Sequence, residues 1–271
     1  RSVVPKVIRR KVYKGRQFFK ADMNVRTVNW ETSRRRGPPL FSMILASYNV
    51  APYLDRFLES ILTQKGSLAD LELIFVNDGS TDNTSGILQR WAERYPNLIV
   101  IIDQENGGAA AARNTGLDVA RGKWISFPDP DDFLDRDYLQ VSRKAVMKIH
   151  DRPLTAVCTK LVFYFEDKQA FRDSHPLNFR FAKPSTTLST QNMGRFIHLS
   201  GATIWLRSTS IEKNNIRFTG HGWGTFEDAH FINRVLIDEN DALITFVSGA
   251  KYFYRQRSDS SSLVDKKKKK K

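Results

Sequence analysis

The chain has 271 residues, 41% apolar and 11% aromatic, which suits one large globular unit and excludes a disordered or fibrous chain. Its net charge of +14 sits at the ends: residues 1–36 carry +10 and Lys266 to Lys271 carry +6, leaving residues 37–265 at −2, so the body is no nucleic-acid binder. The single cysteine, Cys158, excludes an internal disulfide, and no run reaches the ~20 apolar residues of a membrane span. The first residue is Arg rather than Met, so the chain reads as a fragment or a trimmed one. The six-lysine tail, native or a tag, is set aside. Residues 1–37 mix cations with Val3, Val4, Val7, Ile8, Val12, Tyr13, Phe18 and Phe19. They read as a basic arm or linker, with a helix on an anionic membrane surface as one alternative and contact with a polyanion as another.

Gly37-Pro38-Pro39 marks a boundary. The apolar run Leu40 to Ala46 predicts a buried strand ending in Ser47-Tyr48-Asn49. A helix follows over Tyr53 to Gln64, with Leu54, Phe57, Leu58, Ile61 and Leu62 on one face. Leu71 to Val76 predicts a second strand, ending in Asn77-Asp78-Gly79-Ser80. Thr81 or Asp82 can cap a helix that runs to Tyr95. Leu98 to Ile102 is a third strand, Gly107-Gly108 opens an Ala-rich helix ending near Gly122, and Trp124 to Phe127 is a fourth strand. This alternation predicts an α/β fold: a mostly parallel central sheet with helices on both faces. After residue 150 the rhythm changes. Strands at Thr155 to Phe165 and Thr203 to Leu206, a helix at Glu227 to Leu236, and late strands at Ala242 to Val247 and Lys251 to Tyr254 predict a mixed C-terminal half.

The fourth strand delivers Asp129-Pro130-Asp131-Asp132 at its carboxyl end, where open α/β sheets bind ligands. Crowded carboxylates repel, and a hard divalent cation relieves them. Mg²⁺ takes one or two carboxylates and keeps its other positions for water and phosphates. The plain alternative is a solvated Asp-Pro turn. The other strand tips are also polar. Asp78 can accept from the N3–H of a uracil, Ser47, Tyr48 and Asn49 can line a base, and Arg113 lies within reach of the same crevice. Taken singly, Asp78-Gly79 is a common turn pair and Arg113 is an ordinary surface charge. Glu227-Asp228 opens a helix whose dipole favours a charged carboxylate there.

Leu45-Ala46-Ser47-Tyr48-Asn49, Val76-Asn77-Asp78-Gly79-Ser80-Thr81-Asp82, Ala112-Arg113-Asn114-Thr115-Gly116, Asp129-Pro130-Asp131-Asp132 and Phe226-Glu227-Asp228 occur in that order over residues 40 to 255. Together they resemble the family 2 glycosyltransferases of the A-type fold. The resemblance implies inverting transfer from a nucleotide diphosphate sugar, usually UDP-linked, with Mg²⁺ or Mn²⁺. It implies that Ala46, Ser47, Tyr48, Asp78, Arg113 and Asp129 hold the nucleotide. Asp131 would be the main metal contact with Asp129 and Asp132 beside it, and Asp228 the base. Tyr252-Phe253-Tyr254-Arg255-Gln256-Arg257 is similar to a Tyr-Arg-x-Arg segment of bacterial surface-polymer members, which gives Arg255 and Arg257 a diphosphate role. His221, Trp223 and Glu227 are the candidate acceptor contacts. The Gln-x-x-Arg-Trp signature of processive synthases is missing.

The expected layout is therefore a basic arm at 1–37, a transferase domain at 38–258 and a polar, Lys-rich tail at 259–271. Within the domain, residues 38–135 form the nucleotide-sugar half and 136–258 the acceptor half. The expected acceptor is a glycan, wall polymer or lipid-linked precursor. The expected location is cytoplasmic, peripheral on the inner face of the membrane, with the basic arm meeting anionic lipid or a polyanionic acceptor. A non-catalytic sugar-nucleotide or glycan-binding module on the same fold is the competing reading, although a retired site has no need of Asp131 and Asp228. A nucleotidyltransferase would show a Gly-rich basic loop after the first strand, where this chain has Ser47-Tyr48-Asn49-Val50-Ala51-Pro52.

Overall fold

The computed structural model describes residues 26–29, 37–193, 200–219 and 227–257. Its first half is built on four apolar strands: β2 (Phe41–Ser47), β3 (Leu71–Asp78), β4 (Ile99–Gln104) and β5 (Trp124–Ser126). They pair in parallel in the order β4-β3-β2-β5. All eight residues of β3 are buried, as a strand covered on both faces requires.

Alternation along the strands sorts the core into two layers. Phe41, Met43, Leu45, Leu73 and Phe75 point to one face, and there meet Leu54, Phe57, Leu58 and Ile61 of α1 (Ala51–Leu62). Ile87 and Leu88 of α2 (Thr84–Arg94) and Leu139 of α4 (Tyr138–Met147) join the same layer. Ile44, Ile74 and Val76 point to the other face. They meet Ala112 and Leu117 of α3 (Ala109–Val119) and Phe231, Ile232, Val235 and Leu236 of α6 (Glu227–Asp238). Each fully buried side chain of this size contributes about 1.5–3 kcal/mol. Gly116 lets α3 lie close on β2, because a Cβ there would stand 2.2 Å from Cγ2 of Ile44.

The second half extends the sheet. The described strands form one sheet of eleven, in the order β1-β4-β3-β2-β5-β10-β7-β11-β6, with β8 on β7 and β9 on β11. Here β1 is Arg26–Val28, β6 Phe133–Leu134, β7 Ala156–Phe165, β8 Ala170–Arg172, β9 Ser185–Ser189, β10 Ile204–Arg207 and β11 Leu243–Gln256; α5 is the short helix Ser208–Lys213. Strand β10 runs antiparallel to both β5 and β7. The sheet is thus parallel at its centre and mixed beyond it.

Three features differ from the sequence reading. The basic arm contributes strand β1, whose β-branched Thr27 and Val28 pair with β4 and whose Asn29 amide donates to the carbonyls of Ala92 and Ile99. The two late strands are one, β11, broken in register between Val247 and Lys251. The cap of α2 is at Asn83, and the Asp82 carboxylate instead accepts from the N–H groups of Thr84 (2.9 Å) and Ala51 (3.1 Å), tying two helix heads together. Among the described residues no helix is long and apolar enough to cross a membrane.

Candidate active site

Parallel pairing puts the carboxyl ends of β2, β3, β4 and β5 on one edge of the sheet. The first three ends form a polar rim. Asp78 is 2% exposed, and its carboxylate accepts from the Gln104 amide (2.7 Å) and from the N–H groups of Gly107 and Gly108 (2.8 Å each). This shapes the turn that leads into α3. Asn49, at φ +53°, accepts on its side chain from the N–H groups of Thr81 and Asp82 and so joins the turns after β2 and β3. Asn tolerates that backbone better than most residues, which was the available signal for it. Tyr48 is half-exposed on the rim and Ala46 half-buried. Ser47 is fully buried, and its hydroxyl donates to the Leu45 carbonyl.

The acid loop after β5 is pinned by β11, which reaches it through β6. The Tyr252 hydroxyl donates to Asp132 (2.6 Å) and accepts from the N–H of Asp129 (3.0 Å). The Arg255 N–H donates to the other Asp132 oxygen at 2.7 Å. Asp132 is 1% exposed, and in this structure its carboxyl serves as an internal post of the loop. Burial, then the charges of Asp131 and Asp129, push its pKa well up. Arg255 is committed within the protein in this structure. It is buried, donates to the Asp131 carbonyl (2.6 Å) and to Glu166 (2.7 Å), and faces the rings of Tyr53, Phe133 and Tyr164. Tyr252, Glu166 and Tyr53 escaped the sequence reading because their parts depend on contacts across some 90 to 200 residues of chain.

Asp129 and Asp131 remain at the mouth. Arg257 pairs with Asp131, and Arg113 pairs with Asp129 at 3.1 Å. Burial raises the Asp129 pKa to about 6; Arg113 opposes this, while the charges of Asp131 and Asp228 add to it. Arg113 itself is 8% exposed, lies over the Phe218 ring, and donates to Glu227 at 2.8 Å. It is thus committed between two carboxylates rather than open to a base, and Glu227 is committed to it.

Through Arg113 the head of α6 is drawn to the acid loop. Asp228 is fixed there by two backbone N–H groups, those of Gly201 (2.9 Å) and Ala229 (2.8 Å). Gly201 stands beside the end of β5, its carbonyl accepting from the N–H of Phe127. A Cβ on Gly201 would stand 3.2 Å from Cβ of Asp228, a tight contact that a shift of a few tenths of an ångström would relieve. His221 and Trp223 lie outside the described residues.

Among the described residues no three carboxylate, imidazole or thiolate groups are gathered as a ready cation cage. The donor set still suits a hard cation that completes its shell with substrate oxygens. Asp129 and Asp131 are two nearby carboxylates, and their mutual repulsion is part of what raises the Asp129 pKa.

The family model "Glycosyl transferase family 2" matches residues 42–214. The minor teichoic acid biosynthesis protein GgaA of Bacillus subtilis is 34% identical over 235 residues, which cover 84% of this chain and 49% of GgaA. GgaB of the same organism is 31% identical, over 83% of this chain and 24% of GgaB. The chain therefore spans half or less of the length of these relatives. In fold it is similar to Staphylococcus aureus TarS crystallised with UDP-GlcNAc, with a TM-score of 0.68 and 23% identity over 82% of this chain and 61% of the TarS chain. It is also similar to the Pyrobaculum calidifontis mannosyltransferase PcManGT, crystallised with GDP-Man and Mn²⁺, with a TM-score of 0.58 and 20% identity over 83% of this chain and 63% of that one. With its motifs at successive strand ends and the family match across more than half its length, the chain belongs to glycosyl transferase family 2.

Proposed function

We propose that this domain transfers a sugar from a nucleoside diphosphate sugar, UDP-linked, to a hydroxyl of a wall-polymer, glycan or lipid-linked acceptor, with inversion. The observation that carries this reading is the placement of Asp228, which two backbone N–H groups hold beside the loop of Asp129 and Asp131. The acceptor oxygen attacks the anomeric carbon as the bond to the diphosphate oxygen breaks. The hydroxyl proton passes to Asp228 and the electron pair leaves with the diphosphate. One base and one displacement give inversion; a hydrolase would need a second catalytic carboxyl.

Tyr48 and Ala46, with the turn built by Asp78, would hold the base. Asp129 and Asp131 would hold Mn²⁺ or Mg²⁺, which neutralises charge on the leaving diphosphate when bound. Arg113 would keep Asp129 and Glu227 in place while that charge develops. The wall-polymer acceptor is supported by the names of GgaA and GgaB. We place the acceptor half at 136–258, the donor half at 38–135, and the reaction in the cytoplasm at the inner face of the membrane. There the basic arm would meet anionic lipid or a polyanionic acceptor.

Calorimetric titration of UDP with Mn²⁺, and again with excess chelator, tests the donor site. Metal-dependent binding is expected, and its absence would overturn the donor assignment. Asp228→Asn is expected to lower transfer by about a thousandfold, as loss of a general base does at its larger end, while UDP affinity stays unchanged. A variant that binds UDP normally and still transfers would move the base elsewhere.

A further inference from the structure

This inference rests on the donor-site reading above. Arg255 and Arg257 both hold Asp131, in different ways. Arg255 takes its backbone carbonyl through a side chain 4% exposed and anchored on Glu166. Arg257 takes its carboxylate: Nε (3.0 Å) and Nη2 (2.5 Å) both donate to Oδ2, from a side chain 18% exposed. The Arg257 guanidinium also lies 4.5 Å over the Tyr53 ring. Position 257 follows the last residue of β11.

The carboxylate expected to face a divalent cation is thus occupied by a monovalent one. A divalent cation arriving at Asp131 meets the like charge of Arg257, whereas a diphosphate arriving with it offers that guanidinium a matched anionic partner. We propose that Arg257 is an exchanging counter-ion: it neutralises Asp131 in the donor-free protein and transfers to the donor diphosphate when cation and nucleotide load together. The exchange makes the two ligands cooperative. Either alone leaves a charge uncompensated, and coupling between ligands is reciprocal. It also assigns the two arginines separate work: Arg255 is fixed structure and Arg257 the moving part.

The test is calorimetry with three titrants, Mn²⁺ alone, UDP alone and UDP at saturating Mn²⁺, on wild type, Arg257→Gln and Arg257→Lys. Opposite signs are expected. Arg257→Gln gains affinity for Mn²⁺ alone by about threefold, since a partly exposed ion pair no longer competes. It loses affinity for UDP at saturating Mn²⁺ by about tenfold, the worth of a charge-assisted contact. Arg257→Lys keeps the charge without the planar fork, so its Mn²⁺ affinity stays at the wild-type value and only the UDP loss appears, smaller than in Gln. Thermal melts confirm that both variants fold, and Arg257→Lys carries the test if Gln does not. Unchanged or weaker Mn²⁺ binding in Arg257→Gln, or unchanged UDP binding in both variants, overturns the exchange. Wild type that binds no UDP with Mn²⁺ overturns instead the donor-site reading on which the exchange rests.

Discussion

Asp129 and Asp132 are three residues apart, yet the fold treats them oppositely: one is left partly exposed beside Arg113, the other is closed inside by Tyr252 and Arg255. Nothing in Asp129-Pro130-Asp131-Asp132 distinguishes them, because the distinction is made by partners more than 100 residues away. That the acids follow the fourth strand in one loop was legible in the sequence; which of them faces inward was not. Both folded-state pKa values lie above the ordinary carboxylate value, Asp129 at about 6. The folded protein therefore keeps protons that the unfolded chain has already lost between about pH 4 and pH 6, and stability falls as pH rises through that window. Asp129→Asn removes its share. In chelator, its urea midpoint relative to wild type is expected to rise from pH 4.5 to pH 7; a constant difference would count against the raised pKa. Arg113 acts in the other direction. Arg113→Met leaves two carboxylates without their cation and is expected to cost about 2 kcal/mol, a buried-pair value discounted for the partly exposed partners. Urea denaturation reads it directly.

At the scale of elements, α6 and β11 do the work that the first half of the chain cannot do alone. The helix brings Asp228, and its apolar face (Phe231, Ile232, Val235, Leu236) was visible as helical periodicity. Its docking depth was not visible, since it is set by the close contact of Asp228 with Gly201, 27 residues away in the chain. Gly201→Ala is expected to leave UDP binding intact and lower transfer by about tenfold, because a displaced base loses alignment faster than it loses contact. Equal loss of both would instead indicate a general packing defect. The β11 strand was read as two because Ser248-Gly249-Ala250 interrupts its apolar pattern. Gly249 packs against Val141 at the break, and the strand resumes with its register shifted. That shift belongs to pairing with β7, a long-range fact that local pattern does not encode.

For the whole molecule, the parallel centre was legible because buried strands and amphipathic helices alternate with few exceptions. The edges were not. Strand β1 forms from three residues in a stretch dominated by cations, and β8 and β9 lie between the strands expected at Thr155 to Phe165 and Thr203 to Leu206. Such short edge strands take their structure from a neighbour already in place. The sheet order carries one more implication. The acid loop lies near the middle of the chain, but the groups that set it, Tyr252 and Arg255, come with the final described strand. During synthesis the donor half can collapse around β2, β3 and β4 while its acids still lack their inner supports. Competence then arrives in a single late step, when β11 threads between β7 and β6. A ribosome-bound intermediate stalled short of Tyr252 would therefore carry the acid loop without the two side chains that hold it.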